Sequence, residues 1–431
     1  MIRYLLLLLF FVMFAGGPLG LHDSVVPGLS IKNAFLYVLF VAMAIETTVS
    51  GNRKPEVLSV LFPFSLLLAY CLYSYLIVVF IVDYPDYDVV SSGFQLKTGL
   101  LDHFLMLLVF FYGVTKTKDA IWLIRMVIWL IMLGNILTLA DAFQLPDLEI
   151  LTLGYDDRIQ GFIGQKNQFG AFLAFFLPAT LGVFLSEIGI RRIAAGVGVL
   201  ATFACLLLTF SRGSYVGVVL GALLAGIFLR KHISARTMTR TAIIATVACT
   251  AAVPLLFVAG YGDLILDRFS LLSGSVDTVS QGRSTLWLRA LSVMTEYPVT
   301  FVTGYGWNAY ANFSEFRLAL HSVYFDYLFN LGLIGLVLFL TTLFGVFVVF
   351  RQGVVSASGI ARSFLVLATF GVAAVCVAMF FSEVYYAGVL IWAYIGLILR
   401  VAIASEVNGS SRGRRLGSSG DIGRSLNERG E

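Results

Sequence analysis

The chain has 431 residues, of which 59% are hydrophobic and 13% charged, with a mean hydropathy of +0.91. That balance excludes a soluble globular enzyme and leaves nothing that calls for a nucleic-acid partner. The net charge of +4 decides little, because in a membrane protein the distribution of charge matters more than its sum. The four cysteines, Cys71, Cys205, Cys249 and Cys376, lie in apolar segments without CxxC spacing, so neither a disulfide framework nor a zinc site is indicated.

A membrane-spanning helix takes about 20 mainly apolar residues. Twelve segments qualify, roughly 2–20, 33–49, 57–82, 99–115, 119–143, 167–186, 193–210, 212–229, 241–260, 321–350, 362–381 and 384–403. The first, MIRYLLLLLFFVMFAGGPLG, also has the look of a signal peptide, with one basic residue, a short apolar run and then small residues. Its cleavage would leave the topology of the rest unchanged. The expected fold is therefore all-α and polytopic, with about 12 transmembrane helices. A bundle of about nine helices fills 1–260, a long loop bearing short helices follows at 261–320, and further helices occupy 321–403. The tail 404–431, rich in Gly, Ser and Arg and lacking an apolar face, reads as disordered.

With the N-terminus inside, 19 of the 29 lysines and arginines fall on the cytoplasmic side. The positive-inside rule supports that orientation, which sends the connections 83–98 and 261–320 outward.

The same topology puts Ser211-Arg212-Gly213 in a tight turn at the outer ends of the seventh and eighth spans. An arginine there is either a snorkelling interfacial residue or a ligand for an anion. Gly213, Gly217 and Gly221 follow at GxxxG spacing, which permits close helix packing and would hold the guanidinium rigidly. Its planar fork suits phosphate oxygens.

In the outer loop, SQGRSTLWLRALSVMTEYP reads as a helix with Arg283, Trp287, Ala290 and Met294 near one face and Pro298 after it. Gly304 and Gly306 of TGYGWN read as turn glycines. HSVYFDYLFNLGLIG then opens the tenth span with His321 at its outer end, on the same side as Arg212 and Arg283. Asp263, Asp267 and Asp277 are scattered and read as solvated, so no acidic metal-binding motif is expected. Asp326 lies five residues beyond His321 and does not share its helix face.

These motifs resemble the O-antigen ligase superfamily, whose members join or extend polyprenyl-diphosphate-linked glycans at the outer face of the bacterial inner membrane. The likeness rests on SRGSYVG at 211–217, QGRSTLW at 281–287 and HSVYFDYLFNLGLIG at 321–335, with weaker support from GQKNQFGAFLA at 164–174. The resemblance implies a multi-pass inner-membrane glycosyltransferase whose active site faces the periplasm. In it Arg212 and Arg283 bind the donor diphosphate and His321 acts as base toward the acceptor hydroxyl. Two arginines would take the place of a metal, so neither a metal nor a cofactor is expected. The implied partners are a polyprenyl-diphosphate-linked glycan donor, a glycan or lipid acceptor, membrane lipids, and polysaccharide export or chain-length proteins.

Ser322 stands where ligase-type members often carry asparagine, which favours polymerisation of exopolysaccharide or O-antigen repeats over ligation to lipid A-core. Lys166 and Arg158 are secondary candidates for phosphate or sugar contact, with interfacial anchoring the alternative. Glu383, in SEVYY between the last two spans, either orients His321 or faces water. Tyr305, Trp307, Tyr310 and Tyr324 are candidates to stack on sugar rings, or an ordinary interfacial aromatic belt. The alternative of another class is a transporter of a small anion or lipid-linked glycan, which would place ionisable groups or broken helices near the bilayer midplane.

Overall fold

A computed structural model describes the chain apart from residues 1, 17–23, 27–28, 51–56, 83, 85, 144–158, 313–318 and 428–431, and between 235 and 281 it describes only scattered residues. At 24–26, 29, 47, 50, 312 and 408–427 it describes the backbone alone. Among the described residues the architecture is all-α except for one short antiparallel pairing of Ser24–Val26 with Leu29–Ser30.

The helices in chain order are α1 (Ile2–Ala15), α2 (Ile31–Ser50), α3 (Leu58–Ile77), α4 (Val89–Leu96), α5 (Asp102–Tyr112), α6 (Thr117–Ala142), α7 (Lys166–Ser186), α8 (Gly189–Leu208) and α9 (Arg212–Leu229). Three short helices follow, α10 (Arg283–Glu296), α11 (Thr300–Thr303) and α12 (Ala309–Asn312). The chain ends with α13 (Val323–Ser356), α14 (Gly359–Ala378) and α15 (Tyr385–Asn427). Wide π-type turns extend α3 over Val78–Val82 and join α4 to α5 over Lys97–Leu101.

Nine helices among the described residues are long and apolar enough to cross a membrane, so the chain is a polytopic membrane protein. Three of the twelve expected spans are not among the nine. The first yields only the 14-residue α1, the second lies within α2, and 241–260 falls largely outside the described residues. The fourth span begins ten residues before its expected start, at Val89, because the wide turn carries the helix through the polar stretch around Lys97. The last span ends at Val407, yet the backbone continues helical to Asn427 in place of the expected unstructured tail. Adding turns to a formed helix avoids the nucleation cost that an isolated polar segment would meet.

The GxxxG stripe of α9 packs on α14. A Cβ at Gly217 would lie 2.7 Å from the carbonyl oxygen of Ala374, and one at Gly221 would strike the backbone of the same residue. Side chains on these glycines would force the helices apart.

Helix α13 is broken at Gly332, where φ is 63° and ψ −165°. The break frees the carbonyls of Phe329 and Asn330, and the loop at Gly304 and Gly306 takes them. Tyr305 N donates to Phe329 O and Gly306 N to Asn330 O, both at 2.9 Å. Three tyrosines from the first half of the chain hold the far side of that loop. Tyr70, Tyr84 and Tyr87 donate their hydroxyls to the carbonyls of Thr303, Tyr305 and Trp307. TGYGWN is thus a plug for a helix break, whose freed carbonyls it satisfies within the protein.

Candidate active site

The site is built around the turn between α14 and α15, residues 379–384. Gly213, the residue after Arg212, packs on Phe381 so closely that a Cβ would clash with its side chain. At the start of α13, Val323 N donates to Met379 O at 3.0 Å. From α10, the Trp287 ring meets Phe380 edge to face at 5.2 Å and stacks on Phe325 at 4.8 Å. The beginnings of α9, α10 and α13 therefore meet one hub.

Arg212 begins α9. Phe210 ahead of it takes φ of 48°, which reverses the chain within two residues, and the Ser211 and Ser214 hydroxyls bond each other at 2.8 Å. Helix α7 presses against this turn at Gly170, where a Cβ would lie 2.6 Å from Ser214 Oγ and 2.8 Å from Ser211 Cβ. Arg212 is half-buried in this arrangement.

Arg283 is the first residue of α10, which turns in from Gly282 at φ of 77°. The expected face of this helix is the one that packs, with Ala290 and Met294 buried. Trp287 Nε1 donates to the carbonyl of Leu320 at 2.9 Å, so one turn of α10 links Arg283 to the residue preceding His321.

His321 is half-buried and adopts φ of 53°, a conformation few non-glycine residues take and histidine tolerates better than most. Burial first, and then the positive charge of Arg283, hold its imidazole below the usual histidine range. Near pH 7 the ring is neutral and able to accept a proton.

Glu383 lies on the other side of His321. Its carboxylate accepts the His321 backbone N–H and feels the fields of Arg283 and Asp326. Burial, followed by the negative charge of Asp326, pushes it up to about 7 against the opposing pull of His321 N–H and Arg283. Its contact is thus with the backbone of His321.

Asp326 was not anticipated as a neighbour of this group. It is fixed by Tyr385 Oη and Asn330 Nδ2, each donating at 2.9 Å. No spacing in the sequence links 326 with 383; the hub between α14 and α15 does.

Lys166 starts α7. Gln168, two residues on, accepts from Tyr386 N at 2.8 Å, which ties the start of α7 to that of α15. Arg158, the other secondary candidate, lies outside the described residues.

Three of the four aromatic candidates for sugar stacking are buried, and Tyr324, in α13, is half-buried. Tyr305, Trp307 and Tyr310 are 9%, 5% and 2% exposed. Trp307 Nε1 donates to Ser92 O and Tyr305 Oη to Val293 O. Tyr324 bonds Cys376 O at 2.7 Å. Filling the helix break draws these rings inward, which composition alone does not reveal.

Beneath the hub a small apolar cavity of about 40 Å³ extends into the bundle, bordered at the site end by Val323, Val384 and Tyr385 and deeper by Phe64 and Trp392. His103 also lines it, its Nε2 hydrogen-bonding the Tyr385 carbonyl at 2.8 Å. Among the described residues no group of three His, Cys, Asp or Glu side chains is placed to hold a metal ion.

Residues 197–340 match the O-antigen ligase family. The matched residues include Arg212, Arg283 and His321 together with the loop that plugs α13. The match takes in about a third of the chain, within a polytopic membrane protein. Glu383 and Lys166 lie outside the matched residues, so the hub that completes the geometry comes from the C-terminal helices. No curated protein sequence matches the chain.

Proposed function

We propose that this protein transfers a saccharide from polyprenyl diphosphate to an acceptor hydroxyl at the periplasmic face of the bacterial inner membrane, polymerising exopolysaccharide or O-antigen repeats. The observation that carries the reading is the convergence of Arg283, His321 and Glu383 on the hub that also packs against the start of α9 at Gly213, next to Arg212. Twelve spans, with α1, α2 and 241–260 joining the nine, and the long loop outside belong to the same reading.

The acceptor oxygen attacks C1 of the donor sugar, the C1–oxygen bond to phosphate breaks, and His321 takes the acceptor proton. Charge grows on the departing diphosphate as that bond breaks, and fixed guanidinium groups in a water-poor site stabilise it more than solvent would. This is the task assigned to Arg212 and Arg283, and it needs no divalent metal. Polymerisation is favoured over ligation to lipid A-core on Ser322, which is fully buried next to His321.

The break at Gly332 is the one observation favouring a transporter, since discontinuous helices line many solute sites. Its freed carbonyls are already bonded to Tyr305 and Gly306, which leaves them unavailable to a solute.

The test is purified protein in lipid with a defined polyprenyl-diphosphate oligosaccharide and EDTA. Lengthened glycan on the same carrier is expected. Product only when lipid A-core is supplied identifies the ligase. Solute flux without product identifies the transporter, and activity lost in EDTA means that a metal takes part.

A further inference from the structure

Glu383 poses a problem for the site just described. A carboxylate that shares Arg283 with an incoming diphosphate would repel it and compete for the guanidinium. The surroundings of Glu383 make its charge conditional. From α13 comes Asp326, held as an acceptor by Tyr385 and Asn330. From the segment ahead of α13 comes the His321 N–H and from α10 the guanidinium of Arg283, while the start of α9 packs Gly213, the residue after Arg212, against Phe381. On its own element the nearest titratable side chain is Tyr385, engaged with Asp326. Glu383 thus stands within reach of Asp326, the His321 N–H and Arg283 at one end of the bundle.

We propose that Glu383 is a proton-coupled binding residue: the donor diphosphate occupies Arg283 only when Glu383 carries a proton, so that donor binding takes up one proton from solution. The inference rests on the diphosphate site proposed above. A neutral carboxylic acid donates a hydrogen bond to a phosphate oxygen, whereas a carboxylate in the same place repels it. Glu383 is already pushed up to about 7 in the free protein, by burial and then by Asp326. A diphosphate beside it adds negative charge and raises it further. By linkage, the form that binds more protons is favoured as pH falls, so donor affinity weakens as pH rises past 7.

The probe is a polyprenyl-diphosphate-linked monosaccharide, a diester whose phosphates do not titrate near neutrality. Its affinity for the full-length protein in lipid nanodiscs is measured between pH 6 and 8.5, together with proton uptake in weak buffer. For the wild type, the dissociation constant should rise roughly tenfold per pH unit above about 7, with close to one proton taken up per donor bound near pH 7.5. Glu383→Gln, a permanently neutral isostere, should bind with little pH dependence and more tightly than wild type at pH 8.5. His321→Gln should keep the wild-type pH dependence. Flat wild-type binding, an unchanged profile in Glu383→Gln, or loss of the profile in His321→Gln would each overturn the inference. Complete absence of donor binding by the wild type would instead overturn the diphosphate site itself. Proton uptake on the wild type alone decides the matter if the glutamine variant does not fold.

Discussion

The indole N–H of Trp287 donates to the carbonyl of Leu320 at 2.9 Å, and this bond carries α10 to the residue before His321. It is the most direct tie between the helix that begins at Arg283 and the segment that supplies His321. Trp287→Phe keeps the stacking on Phe325 but loses the donor. A net hydrogen bond contributes about 0.5–1.5 kcal/mol, so glycan transfer should fall roughly two- to tenfold with normal protein level. Trp287→Ala should cost considerably more. Turnover in nanodiscs, normalised to folded protein, checks both.

The two arginines are expected to act through the fork of the guanidinium. Arg212→Lys and Arg283→Lys keep the charge but replace a planar bidentate donor by a point charge, so donor affinity and turnover should both drop sharply. Glycan output near wild type from both variants at equal protein level would return them to interfacial anchoring.

His321→Ala should lower turnover by about 10² to 10⁴ while donor binding is retained, because general-base catalysis contributes about that much. His321→Gln keeps some hydrogen bonding but takes no proton, and should resemble alanine. Single-turnover rates and donor binding, measured separately, decide whether the imidazole is a base or an orienting group.

Gly221→Leu should destabilise the protein by forcing α9 away from Ala374 of α14. The readout is thermal unfolding in detergent. Val219→Leu, at a lipid-facing position of the same helix that is 61% exposed, should leave the transition where it is.

The proposed orientation places residue 277 outside and the C-terminal tail inside. In a cysteine-free background, Asp277→Cys should react with an impermeant thiol reagent on intact cells. Labelling only after the cells are broken open would invert the topology and detach the site from the periplasm.

Several features of this protein follow from the order of its residues alone. The apolar runs of about 20 residues make spans in any membrane, because hydrocarbon accepts no unsatisfied backbone. The GxxxG spacing after Arg212 implies a close partner helix, and the period of Arg283, Trp287, Ala290 and Met294 marks the buried face of α10. These are local patterns, set by hydrophobic length and helical repeat.

Tertiary structure decided the rest. That α14 is the partner of α9, that α13 breaks at Gly332 and is plugged by Tyr305 and Gly306, and that the loop aromatics turn inward depend on contacts between residues far apart in sequence. The same holds for the acid chemistry at the site. Glu383 and Asp326 are 57 residues apart and share no motif. Only when α13, α14 and α15 close on one another does Glu383 meet Asp326, the His321 N–H and Arg283, and the charge it carries there is a property of that enclosure.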